Sequence, residues 1–148
     1  MARAKTALAY NVYSQDCPTR TVLDIVADKW TSLLIVALVP GTKRFQQLKR
    51  EIGGITQKML TQTLRSLERN GIVERRAYAT VPPRVEYTLT RLGHTLSESL
   101  EALQDWSVAH VEEIQRARKL MDARLNAQLR TTTRQVGKPA NSSRDGGI

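Results

Sequence analysis

Between residues 56 and 70, the side chains able to make directional polar contacts recur at helical spacing: Lys58, Thr61, Gln62, Arg65 and Arg69. Placed about 100° apart they gather on one side, opposite Leu60, Leu64 and Leu67, which fall within about 60° of one another. The polar side holds three cations and no acid. Guanidinium and amide groups match the paired acceptors and donors on guanine and adenine edges, and cationic groups neutralise phosphates. The chemistry on offer is recognition of a polyanion, not the making or breaking of bonds. Most basic helix faces only keep a protein soluble, so the weight of this one depends on its neighbours.

The charge distribution supports the sharper reading. Of the net +9, residues 43–84 contribute ten basic groups against three acidic, whereas residues 85–129 carry five against seven. A basic surface that stops where the next segment begins suits a polyanionic partner better than general solubility does. Other chemistries find little support. His110 and Glu113 would share a helical face as an acid–base pair, but no nucleophile, phosphate-binding glycine loop or second metal ligand accompanies them. One cysteine, Cys17, and two histidines, His94 and His110, make a zinc site improbable. Neither an enzyme nor a metal or cofactor is therefore expected. An RNA-binding module is the alternative that charge alone permits, but the one phenylalanine, Phe45, is placed to be core, leaving no stacking platform. No apolar run approaches the ~18 residues of a membrane span, and the N-terminus lacks a secretory apolar stretch, so a soluble cytoplasmic protein is expected.

The elements that must position the polar face follow from periodicity and breakers. Thr19 to Ala27 reads as a helix, with Pro18 in its first turn and Val22, Leu23, Ile25 and Val26 available for burial. Trp30 to Val39 is a second, nearly all-apolar helix stopped by Pro40-Gly41. Phe45, Leu48 and Ile52 define a short amphipathic helix over 44–52, ended by Gly53-Gly54, and Thr56 caps the helix that runs to Asn70 before Gly71. Two helices joined by a glycine turn outline a helix-turn-helix, in which the N-terminal half of the second helix meets the bases. Gln57, Lys58, Thr61, Gln62 and Arg65 are then the base-edge candidates, and Arg69 the phosphate contact, with Lys43 and Arg44 at the entry to the first helix.

Val73 to Tyr78 and Arg84 to Leu89 alternate as strands around a Pro82-Pro83 turn. Pairing positions that sum to 162 sets Val73 against Leu89, Arg75 against Tyr87 and Ala77 against Val85 on one mostly apolar face. The other face pairs Arg76 with Glu86 and stacks Tyr78 on Arg84. Prolines cannot donate to a ladder, so the tip is stiff and unpaired, with Arg76 and Arg84 behind it, able to lie across a phosphate backbone or to enter the minor groove. The fold class expected is mainly α with a small β-hairpin (α+β): a winged helix-turn-helix with flanking dimerisation helices.

From Thr90, Leu92, Leu96, Leu100, Leu103 and Trp106 continue a helical stripe that runs to about Leu125. It is longer than a small domain can cover, so Leu100, Leu103 and Trp106 are expected at a homodimer contact or in the core beneath it. The chain divides into an N-terminal arm (1–14), the winged domain with its dimerisation helix (15–129) and a Thr/Ser/Gly-rich disordered tail (130–148).

Cys-Pro at 17–18, Asp-Lys-Trp-Thr at 28–31, Arg-Phe-Gln-Gln-Leu at 44–48, the run from Gly54 to Arg75, and Val-Pro-Pro-Arg-Val-Glu-Tyr at 81–87 resemble the HxlR-type regulators of the MarR-like group over about residues 15–110. Many members have a glycine where this chain has Ala27. The resemblance implies a cytoplasmic homodimer that binds double-stranded DNA as repressor or activator, repression being the expected sign, and two recognition helices on a two-fold axis call for an inverted-repeat operator. It also implies a possible sensor role for Cys17 toward a small electrophile or oxidant. Pro18 leaves this thiol at a helix cap near Arg20, although a free cysteine is commonly just a small buried hydrophobe.

Overall fold

Helix α1 (Pro18–Val26) begins at the proline and leads through Ala27 to Asp28, whose carboxylate accepts from the backbone N–H groups of Trp30 (2.7 Å) and Thr31 (3.0 Å) and so caps α2 (Lys29–Leu38). The computed structural model describes residues 10–136. Strand β1 (Lys43–Arg44), helices α3 (Phe45–Glu51) and α4 (Gln57–Arg69), strands β2 (Val73–Tyr78) and β3 (Arg84–Leu89) and helix α5 (Arg91–Val136) follow. The chain forms two units, Met1–Gln104 and Asp105–Ile148, so α5 contributes its first part to one and the rest to the other.

The core of the first unit joins Leu34, Ile35 and Leu38 of α2, Leu48 of α3, Leu60, Leu64 and Leu67 of α4, Tyr87 and Leu89 of β3, and Leu100 of α5. Phe45 is packed against it. Leu100, expected at or beneath a subunit contact, is therefore a core residue, whereas Leu103 and Trp106 are half exposed. Of the apolar residues of α1 expected to be available for burial, Ile25 and Val26 are half-buried, whereas Val22 and Leu23 are more than half exposed.

Helix α4 is bounded as its sequence predicts. The Thr56 hydroxyl accepts from Met59 N–H at 3.1 Å. At the other end Gly71, at φ +70°, donates to the Glu68 carbonyl and Ile72 to the Leu67 carbonyl, both at 3.0 Å. This pair of bonds is the Schellman ending, which needs a left-handed residue that glycine adopts without strain. Buried Ile72 and Leu67 supply the apolar contact that accompanies it. A Thr56→Ala chain is expected to lose about 1 kcal/mol of stability, read in a thermal melt as a fall of about 4 °C.

The sheet order is β1-β3-β2, all antiparallel. The β2–β3 pairing is the register that sums to 162 throughout, from Val73 opposite Leu89 to Tyr78 opposite Arg84. The charge pairing differs from expectation. Arg76 pairs with Glu74 (3.1 Å) and Arg84 with Glu86 (3.2 Å), each along its own strand and not across the ladder. Strand β1 was not expected at all. Lys43 and Arg44 pair with Tyr87 and Glu86 on the free edge of β3.

Thr90 joins the hairpin to α5. Its hydroxyl donates to the Gly71 carbonyl at 2.6 Å and accepts from Gly93 N–H at 3.1 Å. Helix α5 then runs through Val136, beyond residue 129 where the expected domain ends. Thr131, Thr132 and Thr133 donate their hydroxyls to carbonyls four residues earlier. The expected tail therefore begins as helix, and its remainder, like most of the expected N-terminal arm, lies outside the described residues.

Candidate nucleic-acid interface

Because Leu60, Leu64 and Leu67 are locked into the core, the opposite side of α4 must face outward. Gln57, Lys58, Gln62, Arg65 and Arg69 are exposed there, and Thr61 is half-buried. The Thr61 hydroxyl donates to the Gln57 carbonyl at 2.8 Å, which leaves its lone pairs outward as acceptors. Gln62 stands at the border of the face and shares a shallow depression with Asp24 and Asp28, which makes it less purely cationic in surroundings than Lys58. Arg65 and Arg69 border a neighbouring depression beside Thr21.

A second cationic feature lies between α3 and the hairpin tip. An open cleft of about 750 Å³ is lined by Arg44, Arg50 and Arg84 with Gln46 and Gln47, and by Pro82 and Pro83 on the far wall, with no acidic side chain among its lining residues. Arg44 N–H donates to the Gln47 side chain at 2.7 Å, which fixes the start of α3. Arg84 is held from two sides, its guanidinium 4.2 Å from the Tyr78 ring centre and its Nε 3.2 Å from Glu86. The Tyr78–Arg84 stack is the one expected from the sequence. At the tip, the Thr80 hydroxyl donates to the Pro82 carbonyl at 2.9 Å, and Val81 is fully exposed.

The remaining site candidates divide. Lys43 is largely covered and donates to Glu51 at 2.7 Å, so most of its charge is spent within the fold. Arg76 is exposed, and its pKa is raised first by the hydrogen bond to Glu74 and then by that carboxylate's charge. Arg50, Gln46 and Gln47 also belong to the cleft, and periodicity marks them only as the polar face of the short helix, opposite Phe45, Leu48 and Ile52. Their signal in the sequence was that face, and what it lacked was the hairpin wall opposite. Among the described residues no group of three or more His, Cys, Asp or Glu side chains is placed to hold a metal, and no helix is long and apolar enough to cross a membrane.

Two cationic surfaces, one on a helix able to enter a groove and one in a cleft beside a rigid hairpin, offer contacts to base edges and to backbone. Known proteins share this architecture. A profile of the HxlR-like helix-turn-helix family matches residues 25–115. The chain is 47% identical over 104 residues to the HTH-type transcriptional regulator YtfH of Escherichia coli, covering 70% of this chain and 82% of that one. It is 41% identical over 117 residues to YdeP of Bacillus subtilis, covering 74% and 91%. Among solved structures, the regulator YtfH from Salmonella typhimurium aligns with TM-score 0.70 at 42% identity over 74% of this chain and 98% of that one. The redox regulator HypR in its oxidized form aligns with TM-score 0.59 at 42% identity over 63% and 96%. Diamide-treated YodB from B. subtilis aligns with TM-score 0.54 at 35% identity over 65% and 96%. The chain belongs to the HxlR-like helix-turn-helix family and is a transcriptional regulator, not an enzyme.

Proposed function

We propose that the chain acts in the cytoplasm as a homodimer that recognises double-stranded DNA by sequence and represses by occupying an inverted-repeat operator. The observation that carries this is the exposed, acid-poor face of α4 beside an arginine-lined cleft free of carboxylates. In this reading α4 enters the major groove, where Gln57, Lys58, Thr61, Gln62 and Arg65 meet base edges. Arg69, Arg84 and Arg44 take phosphates, Arg76 stands behind the hairpin tip, and Pro82-Pro83 keeps that tip from folding away. Lys43, tied to Glu51, holds β1 and the start of α3 rather than DNA. Leu103 and Trp106 belong to the subunit contact, with Leu100 in the core beneath.

Two copies of α4 on a two-fold axis require half-sites about 34 Å apart, roughly one turn of DNA. Selection of binding sites from random duplex DNA is expected to return an inverted repeat with that spacing, and sedimentation to give a dimer at micromolar concentration. A monomer bound to a single unrepeated site would defeat this reading. Tighter binding to single-stranded RNA than to duplex DNA of equal length would favour the RNA-binding alternative.

A second reading concerns Cys17, favoured by the likeness to HypR, described as a redox regulator, and to YodB treated with diamide. Cys17 is the N-cap residue of α1, is 8% exposed, and has its sulfur 3.0 Å from the Thr19 hydroxyl. Attack on it requires the first turn of α1 to open. With no second cysteine in the chain, reaction proceeds by alkylation, by a mixed disulfide with a small thiol, or by a disulfide between subunits. Treatment with diamide or a quinone is expected to release the wild-type chain from its operator and to leave Cys17→Ser bound. Equal release of both would place the effector site elsewhere.

A further inference from the structure

Within the second unit, residues 116–134 of α5 hold six basic groups against Asp122 alone. At about 100° per residue, Arg116, Lys119, Arg130 and Arg134 fall within about 60° of one another, and Asp122 lies outside that sector. All four side chains are exposed. Among the described residues only Arg116 of these has an acidic partner, Glu112 at 3.4 Å, with both side chains more than three-quarters exposed. A solvated helix face commonly mixes signs. This one sets like charges at the spacings where side chains meet, Arg116 with Lys119 and Arg130 with Arg134, and such pairs destabilise a helix standing alone in water. A polyanion turns that repulsion into attraction.

The surrounding residues choose among polyanions. On a lipid surface the apolar side of the helix must be the one that enters, and here Arg118 lies inside the sector of Ile114, Met121, Leu125 and Leu129. Single-stranded nucleic acid is held by stacking on aromatic rings, and residues 116–134 contain none. What remains is a row of cations suited to the backbone of a duplex. The apolar sector is centred about 150° from the cationic one, so whatever covers it leaves the cations outward. The stretch begins where the match to the family profile ends, at residue 115.

We propose that this face of α5 takes phosphates of the bound duplex outside the stretch that α4 and the hairpin occupy, as a second, sequence-independent contact. The inference rests on the DNA-binding reading above and adds to it a surface beyond the helix-turn-helix. From Arg116 to Arg134 the helix rises about 27 Å, the length of about eight base pairs.

The test compares the full chain with its variant Lys119→Gln, Arg130→Gln, Arg134→Gln. Glutamine is about as good a helix former as lysine or arginine, so circular dichroism should show the helix content unchanged. Both chains are titrated with random-sequence duplexes of about 20 and about 40 base pairs between about 50 and about 200 mM salt. Comparing the two chains on the same duplex cancels the extra registers that longer DNA offers. On the longer duplex the variant is expected to lose about three units from the slope of log K against log salt for each helix engaged, so that the wild type loses about fortyfold more affinity than the variant across that salt range. On the shorter duplex the two chains should nearly coincide. Equal slopes on the longer duplex would overturn the inference and leave this face as one that keeps the helix soluble. The same difference on both duplexes would place the contacts inside the stretch the first unit covers and overturn the flanking position. Vesicles of phosphatidylglycerol and phosphatidylethanolamine that bind the wild type and not the variant, with equal slopes on DNA, would overturn it in favour of a lipid surface. A wild-type chain that prefers no sequence yet keeps the slope difference would defeat the operator reading and support this one.

Discussion

An Arg65→Ala chain is expected to lose its preference for operator over random duplex by about tenfold to a hundredfold, the ~1–3 kcal/mol that a bidentate arginine–guanine contact contributes to discrimination. The side chain is exposed on the outward face of α4, about two and a half turns from the Thr56 cap, with Leu64 beside it anchored in the core. Its removal leaves no cavity, and the fold should melt unchanged. Arg84→Ala is the contrasting case. A lost phosphate contact weakens binding to all sequences alike and reduces the dependence of log K on log salt by about one unit. Because Arg84 also stacks on Tyr78 and pairs with Glu86, its loss should loosen the hairpin tip slightly as well. Salt titrations of both variants on operator and random DNA separate the two roles. An Arg65→Ala chain with unchanged affinity and preference would show that α4 is not the reading helix.

Gly93→Ala should destabilise the chain at the upper end of the ~1–3 kcal/mol range for overpacking, lowering Tm by about 10 °C. The sign is informative, because in an uncrowded helix the same change stabilises by about 0.4–1 kcal/mol. Here a β-carbon would lie 2.3 Å from the Ile72 carbonyl oxygen and 3.0 Å from Leu89 Cδ2. The obstacle is backbone, and that carbonyl already accepts from Thr90 N–H at 3.0 Å, so it cannot retreat without breaking the link between the start of β2 and the start of α5. Urea unfolding of the variant measures the cost. A chain as stable as the wild type would mean that the first turn of α5 moves off the sheet without penalty.

What could be read from the sequence was whatever local rules over-determine. Thr56 and Gly71 bracket α4 because a hydroxyl cap and a left-handed glycine each satisfy helix ends within a few residues. The hairpin register followed because a slip of one residue would turn Val73, Tyr87 and Leu89 out of the core. The cationic face of α4 followed from the leucines that fix its opposite side. Tertiary structure decided the rest. Two residues, Lys43 and Arg44, have no period and become a strand only because β3 leaves an edge open beside them. Arg76 and Arg84 chose acids along their own strands, since same-face neighbours two residues apart compete with those across the ladder. The run of threonines at 131–133 suggested disorder by composition, yet their hydroxyls bond back to carbonyls of the helix four residues earlier. Arg50 gained its place only when the hairpin was set opposite α3, because a cleft is a property of two surfaces and periodicity reports one at a time.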